Sequence, residues 1–206
     1  MNVESKSEHP MSDPDVKSAT GKSFEDWYRV LDKAGGPSTG RRALTEHLMK
    51  DHKLVAWWAQ TLAVEYERAR AVHEKDGRPK GYSICVTKTI VATPERVFDA
   101  FGDATLMSDW LGRGAKTDFN EGGAFATADG NRGRYTKLAR PKTLRLAWDD
   151  GDSAAASTVE LKLTQNGPKC GLVLNHERIQ SRSEADGLRA AWGVAIDKLK
   201  RALETP

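Results

Sequence analysis

From residue 82 onward, apolar and polar positions alternate. Ile84, Val86 and Ile90 fall on one side of an extended segment, with Lys88 among them. Leu144, Leu146 and Trp148 share one face of a second segment, Val159, Leu161 and Leu163 of a third, and Leu172, Leu174 and His176 of a fourth. A period of two predicts half-buried antiparallel strands, because successive strand side chains point to opposite faces. Gly122-Gly123, Asp129-Gly130, Ala139-Arg140-Pro141, Asp150-Gly151 and Asn166-Gly167-Pro168 supply the turns between them. The period lengthens to that of a helix in two places. Thr93 can cap a short helix with Pro94 at its first position, a place where proline's missing N–H is harmless. Leu188, Trp192, Ala195, Leu199 and Leu203 form the stripe of a long amphipathic helix over 182–203. The predicted order is one strand, a short helical pair, about six strands and one long helix.

The pattern over residues 22–75 is helical. Ser23 caps a first helix, with Asp26 three residues on and Phe24, Trp27, Tyr28 and Leu31 at helical spacing. Gly35-Gly36-Pro37 ends it; a second helix after Thr39 carries Leu44, Leu48 and Met49, and a third runs from about Leu54 to Val72. The chain therefore divides into a disordered tail (1–20), a domain of about three helices (21–75), a polar linker with two glycines and a proline (76–81), and a mixed domain (82–206). Trp57 and Trp58 are adjacent, and neighbouring helical residues diverge by about 100°, so one of them is expected to face a second domain or a second copy of the chain.

Charge narrows the function classes. The chain has 206 residues and a formal net charge of +3, from 32 basic and 29 acidic side chains. That balance does not favour nucleic acid, whose binders cluster positive charge, and Glu46 and Asp51 interrupt the basic residues of the second helix. No run approaches the ~20 apolar residues of a membrane span, and the acidic first twenty residues do not resemble a secretory signal. Two cysteines, Cys85 and Cys170, suit reduced thiols, and the expected location is the cytoplasm. There is no zinc spacing and no HExxH, P-loop or GxGxxG string, so no metal, cofactor or catalytic residue is assigned. Asp149-Asp150-Gly151-Asp152 lacks the remaining ligands of a calcium loop and reads as a solvated turn.

Specific strings resemble the START-like (SRPBCC) superfamily, and within it proteins related to the activator of the heat-shock-protein-ninety ATPase. They are Thr93-Pro-Glu-Arg-Val-Phe-Asp-Ala-Phe101, Asp109-Trp110-Leu111, Phe119-Asn-Glu-Gly122-Gly123-Ala-Phe125, Gly133-Arg-Tyr135 and Pro141-Lys-Thr-Leu144-Arg-Leu146-Ala-Trp148. Thr158-Val-Glu-Leu-Lys-Leu163, Leu172-Val-Leu174-Asn-His176 and Ala191-Trp192-Gly193 continue the series in family order, so the likeness covers about residues 82–204. Residues 20–75 separately resemble an uncharacterised helical domain found in front of such modules, opening on Gly21-Lys-Ser23-Phe-Glu-Asp-Trp27.

The resemblance implies an α+β helix-grip fold, a curved antiparallel sheet around the long C-terminal helix, behind a small all-α domain. With strand parity, it nominates Trp110, Phe125, Tyr135, Trp148, Leu174, His176 and Trp192 as the lining of an interior ligand site. Two readings stay open: these residues fill the core, or they surround a small apolar or aromatic ligand. His176 should point inward, either bonded to backbone or meeting a ligand. The superfamily further implies two other functions: a cavity enzyme of the cyclase or hydrolase type using His176 with Tyr135 or Asp109, and a co-chaperone or stress-response adaptor.

Overall fold

The computed structural model describes residues 3–149 and 156–205, and of Asp149 only the backbone. The Asp150–Asp152 part of the acidic turn lies outside the described residues. The chain divides into two compact units, one of residues 6–82 with 180–183, the other of residues 3–5, 83–179 and 184–205.

The first unit holds four α-helices, α1 (Asp13–Thr20), α2 (Phe24–Lys33), α3 (Arg41–Lys50) and α4 (Ala56–Ala69), with a 3-10 turn at Gly36–Thr39. Helix α1 corrects the expectation of a disordered tail. Ser12 caps it, its hydroxyl accepting from the Asp15 N–H at 3.4 Å while the Asp15 carboxylate accepts from the Ser12 N–H at 3.3 Å. Val16 is fully buried in one cluster with Trp27, Leu31, Leu44, Leu48, Leu62 and Tyr66. A single valine with a reciprocal cap thus offsets the ordering entropy of a short helix that is otherwise polar. The expected linker is also folded. Lys80 N–H donates to Val72 C=O at 3.3 Å, Glu74 N–H donates to Arg78 C=O at 2.7 Å, and His73 bridges Pro79. His9 stacks on Trp58 at 5.5 Å and meets Trp57 edge-on at 4.7 Å, while the Arg182 guanidinium lies 4.4 Å over the Trp57 ring.

One histidine of this unit, His52, sits where burial and its neighbours disfavour the charged form. His52 packs edge-on against Trp27 at 5.2 Å and against His47 at 4.9 Å, and His47 holds Asp51 at 2.6 Å. Burial, then His47 and Lys22, lower the pKa of His52 below 6.5, with Asp51 opposing. An unfolded chain therefore takes up this proton first, so the contribution is present above about pH 6.5 and is lost as pH falls through that value. The melting temperature should drop between pH 7.5 and pH 5.5, and His52→Gln should flatten that slope. An identical slope in the variant would exclude His52 as the source.

In the second unit, β1 (Tyr82–Ile90) is followed by α5 (Pro94–Asp99) and α6 (Ala104–Trp110), then β2 (Lys116–Thr117), β3 (Ala124–Ala126), β4 (Arg132–Ala139), β5 (Thr143–Asp149), β6 (Ser157–Asn166) and β7 (Lys169–Ile179), and finally α7 (Arg182–Glu204). The strands form one seven-stranded sheet in the order β1-β7-β6-β5-β4-β3-β2. Neighbours from β2 to β7 pair antiparallel in chain order, and β1 closes against β7, the α+β helix-grip arrangement. Leu188, Trp192, Ala195, Leu199 and Leu203 of α7 are all buried, as the stripe predicts. The end of α7 is tied to β1 and the residue after it. Lys200 donates to Thr89 C=O at 2.7 Å, Glu204 accepts from Val91 N–H at 2.6 Å, and Asp197 pairs with Lys88 at 2.5 Å. The last contact explains a lysine on the apolar face of β1.

Candidate functional site

Strand parity turns Leu172, Leu174 and His176 of β7 inward, and the register sets His176 opposite Val159 and Leu174 opposite Leu161. Helix α7 crosses this face and brings Trp192 to His176. The Trp192 indole N–H donates to His176 Nδ1 at 3.0 Å, and His176 Nε2 lies 2.7 Å from Ser157 Oγ. Both His176 and Trp192 are fully buried. His176 therefore meets side chains at both ring nitrogens, which goes beyond the simple expectation of a backbone-bonded core histidine.

The donor inventory fixes the tautomer. An indole N–H can only donate, so Nδ1 is the bare nitrogen and Nε2 carries the ring proton toward Ser157 Oγ. The Ser157 hydroxyl keeps its own proton, with the Trp148 carbonyl as acceptor at 3.5 Å, the outer limit of a hydrogen bond. A serine nucleophile needs the reverse arrangement, with bare Nε2 facing the hydroxyl and protonated Nδ1 facing an acceptor. The Trp192–His176–Ser157 chain is thus a polar relay that ends on a hydroxyl donor, not a nucleophile–base dyad.

Rings surround the relay. Trp148 lies 5.0 Å from Trp192 and 6.0 Å from His176; Phe125 lies 5.7 Å from Trp148 and 5.6 Å from Tyr135. Phe125 covers Gly133 on the paired strand, where a Cβ would come within 2.7 Å of its ring, so a residue without a side chain is required there. Phe119 continues the series at 5.0 Å from Tyr135. Tyr135 donates to Phe101 C=O at 2.6 Å and sits 2.8 Å from Thr117 Oγ1. Burial pushes its phenol up to about 12, against the opposite effect of the Thr117 hydrogen bond, so it remains a donor at neutral pH. Trp110 stands apart from the relay, packing on Phe101 at 4.8 Å and donating to Ala100 C=O at 3.1 Å.

All seven nominated residues are buried. Phe125, Tyr135, Trp148, His176 and Trp192 form one ring-contact chain, Leu174 lies beside His176 on the same strand face, and Trp110 anchors α6. Asp109 is exposed and belongs to no part of this constellation. Ser157 and Thr117 were missed, although Ser157 has the parity of Val159, Leu161 and Leu163. The expectation that no catalytic string, G-x-S-x-G included, is present is corrected at Gly36-Pro37-Ser38-Thr39-Gly40, which has that spacing. A nucleophile elbow needs a strand-to-helix turn. Here Ser38 lies in a 3-10 turn between two helices and donates to Gly35 C=O at 2.9 Å. Among the described residues no cluster of His, Cys, Asp and Glu could hold a metal, and no helix is long and apolar enough to cross a membrane.

Residues 91–204 match the family model described as activator of Hsp90 ATPase homolog 1-like protein. Among solved structures, CalU16 from Micromonospora echinospora is 26% identical at a TM-score of 0.53, over 59% of this chain and 76% of that one. An HSP90 activator from Plasmodium falciparum is 22% identical at 0.56, over 61% and 99%. The Aha1 dimer from Colwellia psychrerythraea is 18% identical at 0.55, over 60% and 96%. The last two identities carry the fold alone. No curated protein matches the chain. The model match spans more than half of the 206 residues and takes in the two short helices, strands β2 to β7 and the long helix, with β1 just before it, so the chain belongs to the activator of Hsp90 ATPase homolog 1-like family, with its START-like fold.

Proposed function

We propose that the second unit binds a small, largely apolar ring-bearing molecule between the inner face of its sheet and α7. The observation that carries this reading is the Ser157 hydroxyl. It is half-buried beside Trp148 and His176, and its proton has a weak 3.5 Å acceptor, the Trp148 carbonyl. An apolar surround with one oriented donor suits a ligand carrying a carbonyl or ether oxygen on an aromatic or polycyclic frame. Native mass spectrometry of protein purified from its own host should show a bound small molecule. Titration with aromatic ketones should quench tryptophan emission, and Ser157→Ala should weaken that binding about tenfold, as expected for one lost hydrogen bond in an apolar site. No adduct and no quenching with any such compound would overturn the reading.

Catalysis of the cyclase or hydrolase type is disfavoured by the relay's direction, because with Trp192 donating to Nδ1 the His176 Nε2 donates to Ser157 instead of accepting from it. The family description favours a second reading, modulation of a chaperone ATPase. A coupled ATPase assay with the full chain and purified Hsp90 tests it, and an unchanged rate would dismiss it.

A further inference from the structure

The outer face of the sheet, opposite α7, carries charge that sheet stability argues against. Lys137 of β4 and Arg145 of β5 are direct cross-strand partners. Like charges placed directly opposite on an antiparallel pair are unfavourable. The pairing depends on a bulge, since the register shifts between Tyr135 and Lys137. Without that extra residue, Thr136 would face Arg145. Bulges re-aim side chains, and this one aims a second cation onto the outer face. Glu160, opposite Arg145 on β6, offsets the charge of Arg145, and the bulge still adds Lys137 beside it; where a local rule is broken in this way, function is the usual cause.

The two are not isolated. Arg134 lies opposite Ala147, Lys116 and Arg132 flank Ala126 from either side, and Lys162 lies opposite Thr143, so all four share the outer face, and Arg132 is exposed. Lys116, Arg134, Lys137, Arg145 and Lys162 are all exposed. Among the described side chains of β2–β6, Glu160 is the one carboxylate there. It accepts from Arg145 Nε at 2.7 Å and pairs with Lys162 at 2.8 Å. The ground between the cations is Ala124, Ala126, Thr143 and Ala147.

From this arrangement we infer that the outer face of β2–β6 is a docking surface for an acidic polypeptide segment of a partner protein. Charge complementarity identifies the occupant: six cations against one carboxylate among the described side chains, with small residues between, leave a net positive surface to meet a partner. The Arg145–Glu160 contact already displays the carboxylate recognition required. Nucleic acid is less well served, because no aromatic ring stands among the cations to stack a base. A membrane surface is less well served too. The large exposed apolar residues Val3, Met49, Val55, Val91 and Val194 belong to none of the strands β2–β6, so these strands present no such anchor to insert.

The full chain should bind a fluorescein-labelled glutamate dodecamer by anisotropy at about 50 mM salt and lose most of that binding at about 300 mM, as a surface of exposed charges must. Arg134→Glu and Lys137→Thr should each weaken binding about tenfold, while Lys198→Glu on α7 should leave it unchanged. Lys137→Thr carries a second signature. Removing the like-charge pair should hold or raise the melting temperature while binding falls, which a purely structural lysine would not do. Absence of saturable binding at low salt, variants that bind like the parent, or tighter binding of a DNA dodecamer or of phosphatidylserine vesicles than of the peptide would each overturn the inference.

Discussion

Trp192→Ala is expected to destabilise the second unit by about 3–5 kcal/mol, the range for truncating a fully buried large aromatic side chain. Two losses combine. The first is the ring's packing against Trp148 at 5.0 Å. The second is the indole N–H to His176 Nδ1 bond at 3.0 Å. Trp192→Phe separates them, since it keeps an aromatic ring but leaves Nδ1 without its buried donor. An unmet buried acceptor costs about 1–3 kcal/mol, and the smaller ring adds some lost packing. Urea unfolding of both variants reads the difference. A Trp192→Phe loss below about 0.5 kcal/mol would mean that the indole bond adds nothing and that the relay is only apparent. Nitrogen-detected NMR gives an independent check. His176 should carry its proton on Nε2, and a protonated Nδ1 would reverse the relay and reopen base catalysis at Ser157.

Much of this site was legible in the sequence because a strand has a strict period. Leu172, Leu174 and His176 could only share a face, and the stripe through Leu188 and Trp192 could only be the buried side of α7. What the sequence lacked was the crossing of α7 over the sheet. That tertiary contact picks Trp192 as the donor to His176 and makes Ser157, nineteen residues earlier on β6, its other partner. The bulge between Tyr135 and Lys137 was equally hidden. Counted by parity, Lys137 belongs with Tyr135 on the inner face, and only the register shift turns it outward. Helix α1 is a different failure. Ser12 with Asp15 and Pro14 spells a helix start, but the helix is held by the burial of Val16, which depends on α2 to α4 being in place.

Glu67→Leu is expected to be the most damaging substitution in the first unit. Glu67 lies on α4, with its side chain 1% exposed, between two cations. Arg41 Nε donates to it at 2.6 Å, Arg41 Nη2 pairs with the same carboxylate, and Lys80 Nζ lies 3.4 Å from its other oxygen. Arg41 Nη1 also donates to Gly81 C=O at 2.7 Å, so the guanidinium is held in place whether or not Glu67 is present. Leucine would leave two positive charges facing each other over an apolar side chain. Breaking a buried ion pair from one side costs about 3–5 kcal/mol. Arg41 and Lys80 keep side-chain exposures of 27% and 33%, so water can partly replace the carboxylate and the lower end, about 3 kcal/mol, applies. Arg41→Leu combined with Glu67→Leu should recover part of the loss, because an apolar pair of similar volume removes most of the stranded charge. Hydrogen exchange at the α3 and α4 amides, run on the single and double variants, reads both numbers. Should the double variant be as unstable as the sum of the two single ones, the charges would be acting independently and the network would add no coupling to the fold.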